Sequence, residues 1–499
     1  MSDIAATRLS YAFAKEQGVA LIAGEAGSYI AMRSGAGPLA LLEARRVAGC
    51  SLPVEAVDPA RFERLLSETY SAEGIDTSGI DSQLEAQGDL DTLAAGLDET
   101  ADLLDTSDDA PVIRLINGLI AEAVRTKASD IHVEPFEDRL SVRLRIDGVM
   151  REVLSPSRKV APLLVSRIKV MARLDIAEKR IPQDGRISLS LGGRAIDVRV
   201  STLPSRFGER VVMRLLDKEQ ARLDLDDLGM PASMLERFKQ VLRQPNGIVL
   251  VTGPTGSGKT TTLYAALTLL NDQSRNILTV EDPIEYGLDG VGQTQVNAKV
   301  GMTFATGLRA ILRQDPDIVM VGEIRDAETT QIAVQASLTG HLVLSTVHTN
   351  SAAAAVTRLR DMGVEPFLLS STLSAIVAQR LVRRLCPHCR TPYTPDAREL
   401  ALLGLETAQD PVFFRPVGCE ACAQLGYEGR VGLYELIVMD TELRRMVHDD
   451  AREQDIEAYA FRGAETLRDA GARLVEAGVT SSEEVLRVVR QGGDSHGGL

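Results

Sequence analysis

Aromatic side chains are scarce in this sequence, which has no tryptophan and only 4% aromatic residues among its 499 positions. Apolar residues still make up 44% of the chain, so material for hydrophobic cores is plentiful. Alanine, leucine and valine suit α/β packing better than an aromatic-rich β sandwich, and the composition therefore favours an α/β fold. Because the chain is too long for a single hydrophobic core, we expect about three domains.

Long apolar runs are also absent. No stretch reaches the roughly 18 consecutive apolar residues that a membrane-spanning helix needs. The opening segment Met1–Ser10 contains neither the basic part nor the apolar part of a secretory signal peptide. We therefore expect the protein to be made and kept in the cytoplasm.

Basic residues are missing from one segment of the chain. Between Glu73 and Asp109 the sequence has twelve acidic residues and no lysine or arginine, which accounts for most of the net charge of −15. The net charge therefore says little about binding partners. Since this segment has few regularly spaced apolar residues, it cannot offset the entropy of ordering, and we predict a flexible linker over residues 73–109.

Domains are predicted on both sides of this linker. Residues 1–72 alternate short apolar runs with helical patterns, which predicts a small α/β domain. A periodic apolar helix opens at Pro111 and is followed by alternating strands, which predicts an arginine-rich α+β domain over residues 110–220. The remaining predicted regions are a catalytic α/β core over 221–385, an insert over 386–430 and a helical C-terminal region over 431–499.

A phosphate-binding loop follows the buried-type strand Gly247–Thr252. The segment Gly253–Thr260 matches the pattern G-x-x-x-x-G-K-[ST] and precedes a predicted helix over Thr261–Leu270. Glycines let the backbone approach phosphate, Lys259 neutralises the β- and γ-phosphates, and the Thr260 hydroxyl can ligate Mg²⁺. The sequence therefore predicts ATP and Mg²⁺ as ligands, with nucleotide contacts from Gly253, Pro254, Thr255, Gly256, Ser257, Gly258, Lys259, Thr260 and Thr261.

Carboxylates that end neighbouring apolar strands are candidates for holding the metal and orienting the attacking water. Glu323 ends the strand Asp317–Glu323, where it can position water or bind Mg²⁺ directly or through water. A second apolar strand delivers Glu281, Asp282 and Glu285. The alternative for each of these acids is a solvated carboxylate without a catalytic role.

Histidines flank a third apolar strand, at His341 and His348. Either one could contact the γ-phosphate and report its loss. A lone histidine at the end of a strand is more often structural, so the residues by themselves leave both interpretations open.

Cysteine is infrequent, and four of the five cysteines lie in two C-x-x-C pairs. Cys386 and Cys389 form one pair, Cys419 and Cys422 form the other, and Cys50 stands alone as a predicted small core residue. Four thiolates make a closed tetrahedral Zn²⁺ site with no open position for water, which predicts a structural zinc. The insert lacks the basic and aromatic surface of a nucleic-acid-binding module.

The phosphate loop, the acid-ending strands and the segment Thr339–Asn350 together resemble the secretion ATPase superfamily. Within it the chain resembles the assembly ATPases of the type II (general) secretion pathway, the protein E family, because it also carries Arg180–Arg186, Gly208–Arg214 and the four cysteines. The resemblance runs from about Pro111 to the C-terminus, and more weakly through Leu9–Gly18.

The resemblance implies a RecA-like P-loop NTPase domain preceded by a PAS-like α+β domain. It also implies a homo-hexamer on the cytoplasmic face of the inner membrane, where it assembles a pseudopilus and is peripherally attached through partners. The expected partners are cytoplasmic domains of the L- and F-type platform components, docked by residues 1–72, with no nucleic acid. A type IV pilus assembly ATPase shares these catalytic elements and stays an alternative, as do a nucleic-acid motor and a nucleotide-gated scaffold.

The resemblance also assigns roles to individual residues. Lys259 corresponds to the Walker A lysine, Glu285 to the aspartate-box acid and Glu323 to the Walker B glutamate, while His341 and His348 correspond to the histidine box. Four arginines fall on family positions that contact nucleotide phosphates across a domain or subunit junction, and the alternative is that they form ordinary surface ion pairs. They are Arg199, Arg214, Arg309 and Arg313.

Overall fold

The computed structural model describes two compact units, Met1–Glu219 and Gln220–Leu499. The described residues are 9, 13–14, 17–24, 27–49, 52–58, 61–62, 65, 90, 94, 110–191, 194–217, 224–406 and 411–490. Cys50 lies outside them, as does the predicted linker apart from Leu90 and Ala94. Within these described ranges, no helix is both long enough and apolar enough to cross a bilayer.

A small three-stranded sheet opens the first unit. Strand β2 pairs antiparallel with β1 and parallel with β3, and the helix α1 connects β2 to β3. Pro38 begins the helix, where its missing N–H costs nothing, and Gly49 ends it in the left-handed conformation (φ 66°). The bounds are β1 (Val19–Gly24), β2 (Gly27–Arg33), α1 (Pro38–Ala48) and β3 (Val54–Val57).

A six-stranded antiparallel sheet forms the larger part of the first unit, in the order β6-β5-β4-β9-β8-β7. Alternate residues of β4 point to opposite faces, so Ile131 and Val133 belong to the apolar core, whereas Asp130 and Glu134 pair with arginines of β5 and β9. The bounds are α2 (Ala110–Arg125), β4 (Ala128–Pro135), β5 (Leu140–Ile146), β6 (Val149–Leu154), α3 (Ala161–Met171), β7 (Gln183–Leu191), β8 (Arg194–Ser205) and β9 (Gly208–Asp217).

The second unit is built on a seven-stranded sheet in the order β12-β11-β13-β14-β10-β15-β18. The first six of these strands are parallel and β18 is antiparallel to β15. The elements up to β15 are α4 (Ala232–Leu242), β10 (Gly247–Thr252), α5 (Lys259–Leu270), β11 (Ile277–Glu281), β12 (Gly292–Gln295), α6 (Phe304–Ile311), β13 (Ile318–Val321), α7 (Ala327–Leu338), β14 (Leu342–Val347), α8 (Ala352–Asp361), α9 (Pro366–Thr372) and β15 (Leu373–Leu385).

Both faces of this sheet are covered. In β10, Ile248 and Leu250 enter one hydrophobic core, while Val249 and Val251 enter the core on the other face. Because no face of a central strand meets water, its sequence is a continuous apolar run rather than an alternating one. The prediction of a buried strand over Gly247–Thr252, followed after the loop by a helix, is confirmed.

The predicted boundary at 430/431 is crossed by a strand. Strand β18 pairs along β15 and is buried over most of its length, so the region that we predicted to be helical begins with a strand of the main sheet. Helical periodicity and a buried strand both place apolar residues close together over a short run, which hid this strand in the sequence. The remaining bounds are β16 (Thr391–Tyr393), α10 (Ala397–Leu403), β17 (Phe413–Arg415), β18 (Tyr427–Val438), α11 (Thr441–His448), α12 (Glu453–Ala460), α13 (Leu467–Glu476) and α14 (Ser482–Arg490).

The buried carboxylate of Glu484 attaches α14 to β15. It accepts hydrogen bonds from the Arg383 Nε and Nη2 atoms at 3.1 and 2.8 Å, and from Arg487 at 2.7 Å. Burial by itself would raise the pKa of Glu484, but the two guanidinium groups outweigh it and lower that pKa to about 2. The contribution of this group to stability is therefore full above its ordinary pKa of 4.5 and is lost as the pH falls towards 2.

We predict that Glu484→Gln lowers the free energy of unfolding at pH 7 by about 3 kcal/mol, because two guanidinium groups lose their counter-charge. The difference between variant and wild type should shrink as the pH falls through 4 to 3. Urea unfolding at several pH values measures this, with exposed Glu483→Gln as the control. A difference that does not change with pH would contradict the assignment.

Candidate nucleotide and metal sites

The phosphate loop leaves the carboxyl end of β10 and leads directly into α5. Gly253, Gly256 and Gly258 have φ values of 147°, 79° and 87°, which residues other than glycine rarely adopt. A Cβ atom at Gly253 would lie 2.5 Å from the backbone oxygen of Gln379, so the loop also packs too closely on β15 for any larger residue. The loop therefore exposes backbone N–H groups at a helix N-terminus, where the helix dipole favours an anion.

Lys259 begins α5 and folds back over the loop. Its Nζ atom donates to the backbone oxygens of Gly253 and Pro254 at 2.9 and 3.0 Å. Burial lowers the pKa of Lys259 to about 8, Arg380 acts in the same direction, and the nearby charge of Glu323 opposes it. A partly desolvated ammonium group next to the loop is well suited to bind phosphate oxygens.

Glu323 and His348 come together at the same edge of the sheet. Glu323 follows β13 and His348 follows β14, and the parallel strands β13, β14 and β10 are neighbours. The His348 Nε2 atom lies 3.3 Å from one oxygen of Glu323, and Arg325 pairs with the other oxygen. The N–H of Thr349 donates to the Thr252 hydroxyl at 2.9 Å, which holds the segment after His348 beside the end of β10. These contacts gather Lys259, Glu323 and His348 at one site.

Glu281 is buried, and its carboxylate faces other protein groups. It accepts hydrogen bonds from the Tyr264 hydroxyl, from Thr279 at 2.5 Å and from Gln293 at 3.1 Å. The Glu285 N–H donates to the same Tyr264 hydroxyl at 3.2 Å. Tyr264, a residue of α5, therefore holds the acidic segment Glu281–Glu285 against that helix. Burial and the hydrogen bond to Glu281 raise the pKa of Tyr264. The Glu281 carboxylate is thus occupied by hydrogen bonds inside the protein, whereas Glu285 is half-buried and Asp282 is exposed.

The structure does not bring His341 to the phosphate loop. His341 precedes β14, and its backbone oxygen accepts from the N–H of Gly247, the first residue of β10. The loop follows the last residue of β10, roughly 17–20 Å away along a six-residue strand. The ring of His341 makes structural contacts within the chain, with the backbone oxygen of Ala336 at 2.8 Å and with the Thr339 hydroxyl at 3.1 Å.

Two of the four predicted arginines belong to the first unit and two to the second. Arg199 and Arg214 face each other across β8 and β9 in the first unit, and Arg214 pairs with Asp130 at 2.8 Å. In the second unit Arg309 forms an exposed pair with Glu328 at 2.7 Å, and Arg313 donates to the Arg309 backbone oxygen at 2.8 Å. The exposed pair of Arg309 and Glu328 contributes little to stability and leaves the Arg309 guanidinium able to bind another ligand.

Two buried polar residues beside the loop, Gln379 and Arg380, were not predicted from the sequence. Both lie on β15 with at most 3% of their surface exposed. Their signal is a Gln-Arg pair that interrupts the apolar run Leu373–Leu385. A buried polar pair within an apolar strand needs hydrogen-bond partners, which predicts a role in the structure around it.

The four predicted metal ligands cluster as the sequence indicates. The Sγ atoms of Cys386, Cys389, Cys419 and Cys422 lie within 4.8 Å of one another, and three of the pairs are 3.7–3.9 Å apart. A tetrahedral site with Zn–S bonds of about 2.3 Å has sulfur–sulfur distances of about 3.8 Å, so the cluster fits Zn²⁺.

Backbone groups support the sulfur atoms. The N–H groups of Cys419 and Gly426 donate to the Cys422 sulfur at 3.2 and 3.1 Å, and the N–H of Gly418 donates to Cys389 at 3.3 Å. Burial would raise the pKa of Cys422, but the N–H groups of Cys419 and Gly426 and the neighbouring side chains of Cys419 and Cys389 lower it to about 6, which favours the thiolate at this position. Burial raises the pKa of Cys386 to about 11, so that thiol must lose its proton when a metal binds.

Two family models match the chain. One, described as "Type II/IV secretion system protein", matches residues 105–487, and the other, which describes an N-terminal domain of "GSPII protein E", matches residues 8–70. Type II secretion system protein E of Pseudomonas aeruginosa is 58% identical over 496 residues, which cover 98% of this chain and 99% of the relative. Type II secretion system ATPase E of Vibrio cholerae is 56% identical over 453 residues, with 91% and 90% covered.

Solved structures are similar over much of the chain. The pilus retraction motor PilT with bound ADP has a TM-score of 0.52 and 27% identity, over 74% of this chain and 95% of that chain. The Legionella pneumophila ATPase DotB has a TM-score of 0.56 and 21% identity, over 75% and 95%, a likeness that concerns the fold alone.

We predict that the purified protein contains one Zn²⁺ per chain and that Cys422→Ser removes it, because a closed site cannot lose a ligand without exposing the metal. Metal analysis of the purified variants measures the content, and thermal unfolding should show a destabilised insert. Cys50→Ser is the matched control and should keep its zinc. Undiminished zinc in Cys422→Ser would contradict the four-cysteine assignment.

We also predict that nucleotide binding is linked to proton uptake by Lys259. The free protein holds this group at a pKa of about 8, and bound phosphate raises that pKa because it favours the charged form. At pH 8 binding should therefore take up about half a proton per site, and at pH 6.5 almost none. Calorimetry in buffers of different ionisation enthalpy measures the uptake. In Lys259→Arg, which is always charged, the pH-8 uptake should disappear; its persistence there would contradict the prediction.

Proposed function

The chain belongs to the type II/IV secretion system protein family, and from this premise we propose that it is the ATPase that drives pseudopilus assembly in type II secretion. It is a P-loop ATPase of the secretion type. The proposal adds that it acts as a homo-hexamer on the cytoplasmic face of the inner membrane, and that ATP hydrolysis moves membrane partners.

One observation carries the proposal: Lys259 and the Glu323–His348 pair meet at the edge of the sheet where the phosphate loop leaves β10. A lysine that neutralises phosphate and a carboxylate that orients water are the two groups that phosphoryl transfer to water needs. A nucleotide-gated scaffold would need only the first of them.

The chemistry follows from these positions. The loop N–H groups and Lys259 would bind the β- and γ-phosphates, and Thr260, which is exposed, would supply a hydroxyl ligand for Mg²⁺. Glu323 would orient the attacking water and hold Mg²⁺ directly or through water, while His348 would fix the orientation of the Glu323 carboxylate. Gly253–Thr261 form the nucleotide contacts.

The remaining predicted residues act around this centre. Glu285 and Asp282 belong to the acidic segment, which the Tyr264 hydroxyl of α5 holds in place by hydrogen bonds with Glu281 and with the Glu285 N–H. Arg199, Arg214, Arg309 and Arg313 stabilise phosphate charge once domains or subunits close. We propose no nucleotide contact for His341 within its own subunit.

Each region of the chain has its own proposed fold or role. We propose that residues 221–385 contain a RecA-like core and residues 110–220 a PAS-like domain, and that Zn²⁺ stabilises the insert. Residues 1–72 would dock on cytoplasmic domains of the L- and F-type platform components. The match of residues 8–70 to a domain of GSPII protein E supports this assignment.

A type IV pilus assembly ATPase is the second candidate. The similarity to the pilus retraction motor PilT covers 74% of the chain, and a pilus motor would use the same phosphate loop and acids. The match at residues 8–70 favours secretion, since that family model describes a domain of GSPII protein E. Nucleic-acid translocation is a third and weaker candidate, and stimulation of ATP turnover by DNA would support it.

We predict that ATP turnover per chain rises steeply with protein concentration, because phosphate-contacting arginines come from a neighbouring subunit. A trans arginine contributes about 10³- to 10⁵-fold in related phosphoryl-transfer enzymes. Lys259→Ala and Glu323→Gln should abolish turnover at every concentration, and Arg309→Ala should abolish the concentration dependence. Phosphate release, measured alongside sedimentation of the same samples, checks both the rate and the assembly state.

Glu328→Gln is the matched control for Arg309→Ala, because it breaks the same surface ion pair without removing the guanidinium. It should keep the concentration dependence. Turnover that is independent of concentration and survives in Glu323→Gln would contradict the proposed motor.

A further inference from the structure

Strand β15 passes directly beneath the phosphate loop. It pairs parallel with β10, and Ala378 lies opposite Thr252, the last residue before the loop. The next two residues, Gln379 and Arg380, therefore lie at the same edge of the sheet as the loop. Both are buried, although neither belongs to the sequence pattern of a phosphate loop.

The side-chain amide of Gln379 joins the loop to the helix that follows it. Its Nε2 atom donates to the backbone oxygen of Ser257 at 2.5 Å, and its Oε1 atom accepts from the Thr262 hydroxyl at 2.7 Å. Ser257 and Thr262 are buried like Gln379 itself, so no water competes for these hydrogen bonds. The amide thus fixes the turn Ser257–Gly258 relative to the first turn of α5.

The backbone of Gln379 supports the other end of the loop. Its carbonyl oxygen lies where a Cβ atom on Gly253 would be only 2.5 Å away, so loop and strand are in direct contact. Arg380 holds this oxygen in place, because its guanidinium donates to it at 3.1 Å and to the Asn350 oxygen at 2.7 Å. The loop is therefore supported at Gly253 and at Ser257 by the same residue.

We propose that Gln379 is a positioning residue for nucleotide binding, which holds the loop so that its N–H groups converge on the β- and γ-phosphates. The proposal rests on the proposed ATPase function, because it assigns to Gln379 the geometry of that same site. A phosphate loop binds its ligand most tightly when its N–H donors are already in place, because no binding free energy is then lost in ordering them. Gln379 acts through Ser257 and Thr262 and does not touch the phosphates.

The test uses Gln379→Glu in the full chain. Ionised glutamate accepts from Thr262 but cannot donate to the Ser257 oxygen, whereas protonated glutamate does both, as glutamine does. Burial raises the pKa of such a carboxyl group, the nearby cations Arg380 and Lys259 act in the opposite direction, and the fraction of the neutral form rises as the pH falls. We expect the KM for ATP and the Kd for a fluorescent ATP analogue to be at least about tenfold above wild type at pH 8.5 and to approach wild type at pH 6.

Three further variants separate positioning from stability. Gln379→Met keeps the length of the side chain without hydrogen bonds and should bind weakly at every pH. Gln335→Glu, on the exposed side of α7, should match wild type at every pH. Val382→Ala, at a buried position of the same strand that belongs to a hydrophobic core, should lower the melting temperature and leave Kd unchanged.

The inference is overturned if Gln379→Glu and Gln379→Met bind the nucleotide as wild type does and merely melt earlier, as Val382→Ala does. It is also overturned if the ratio of the Gln379→Glu Kd to the wild-type Kd does not change with pH. Lys259→Ala distinguishes this failure from failure of the proposed function. If Lys259→Ala loses the nucleotide while the Gln379 variants keep it, only the role of Gln379 is wrong. If Lys259→Ala also keeps it, the phosphate loop is not the nucleotide site.

Discussion

The nucleotide site depends on direct packing of the phosphate-loop backbone on strand β15. Gly253 lies so close to the Gln379 oxygen that no side chain fits between them, and Ser257 is hydrogen-bonded to the same residue. This close approach is possible because β15 is the parallel neighbour of β10 and continues past its end, where Ala378 lies opposite Thr252. The loop conformation is therefore a property of two strands and a helix, and its glycines are required by that contact as well as by their positive φ values.

Charge at the site is arranged within this packing. Lys259 and Arg380 are two buried cations near the loop, and Glu323 is the acid whose charge acts on Lys259. The acids at the end of β11 lie in different environments. Glu281 accepts hydrogen bonds from Tyr264, Thr279 and Gln293. Successive residues at the end of a strand point in different directions. Glu281 is therefore buried, whereas Asp282 and Glu285 lie nearer the surface.

The C-terminal part of the chain is attached to the same strand. Beyond Arg380, strand β15 carries Arg383, which pairs with Glu484 of α14, and it ends just before Cys386 of the metal cluster. The buried carboxylate of Glu435 on β18 accepts from the N–H groups of Ala352 and Leu467, the first residues of α8 and α13. One strand and its antiparallel neighbour therefore connect the phosphate loop, the four cysteines and the C-terminal helices in the second unit.

The sequence by itself determined the local features: the strand, glycine loop and helix around Lys259, the acid after β13, and the two cysteine pairs. Each depends on spacing over a few residues, which backbone geometry and ligand chemistry translate directly into structure. Tertiary structure alone decided that His341 lies at the far edge of the sheet, that β18 completes that sheet, and that Gln379 lies beneath the loop. These facts depend on strand order and on partners far apart in the chain, 122 residues apart for Gln379 and Ser257, and no local pattern encodes such a pairing.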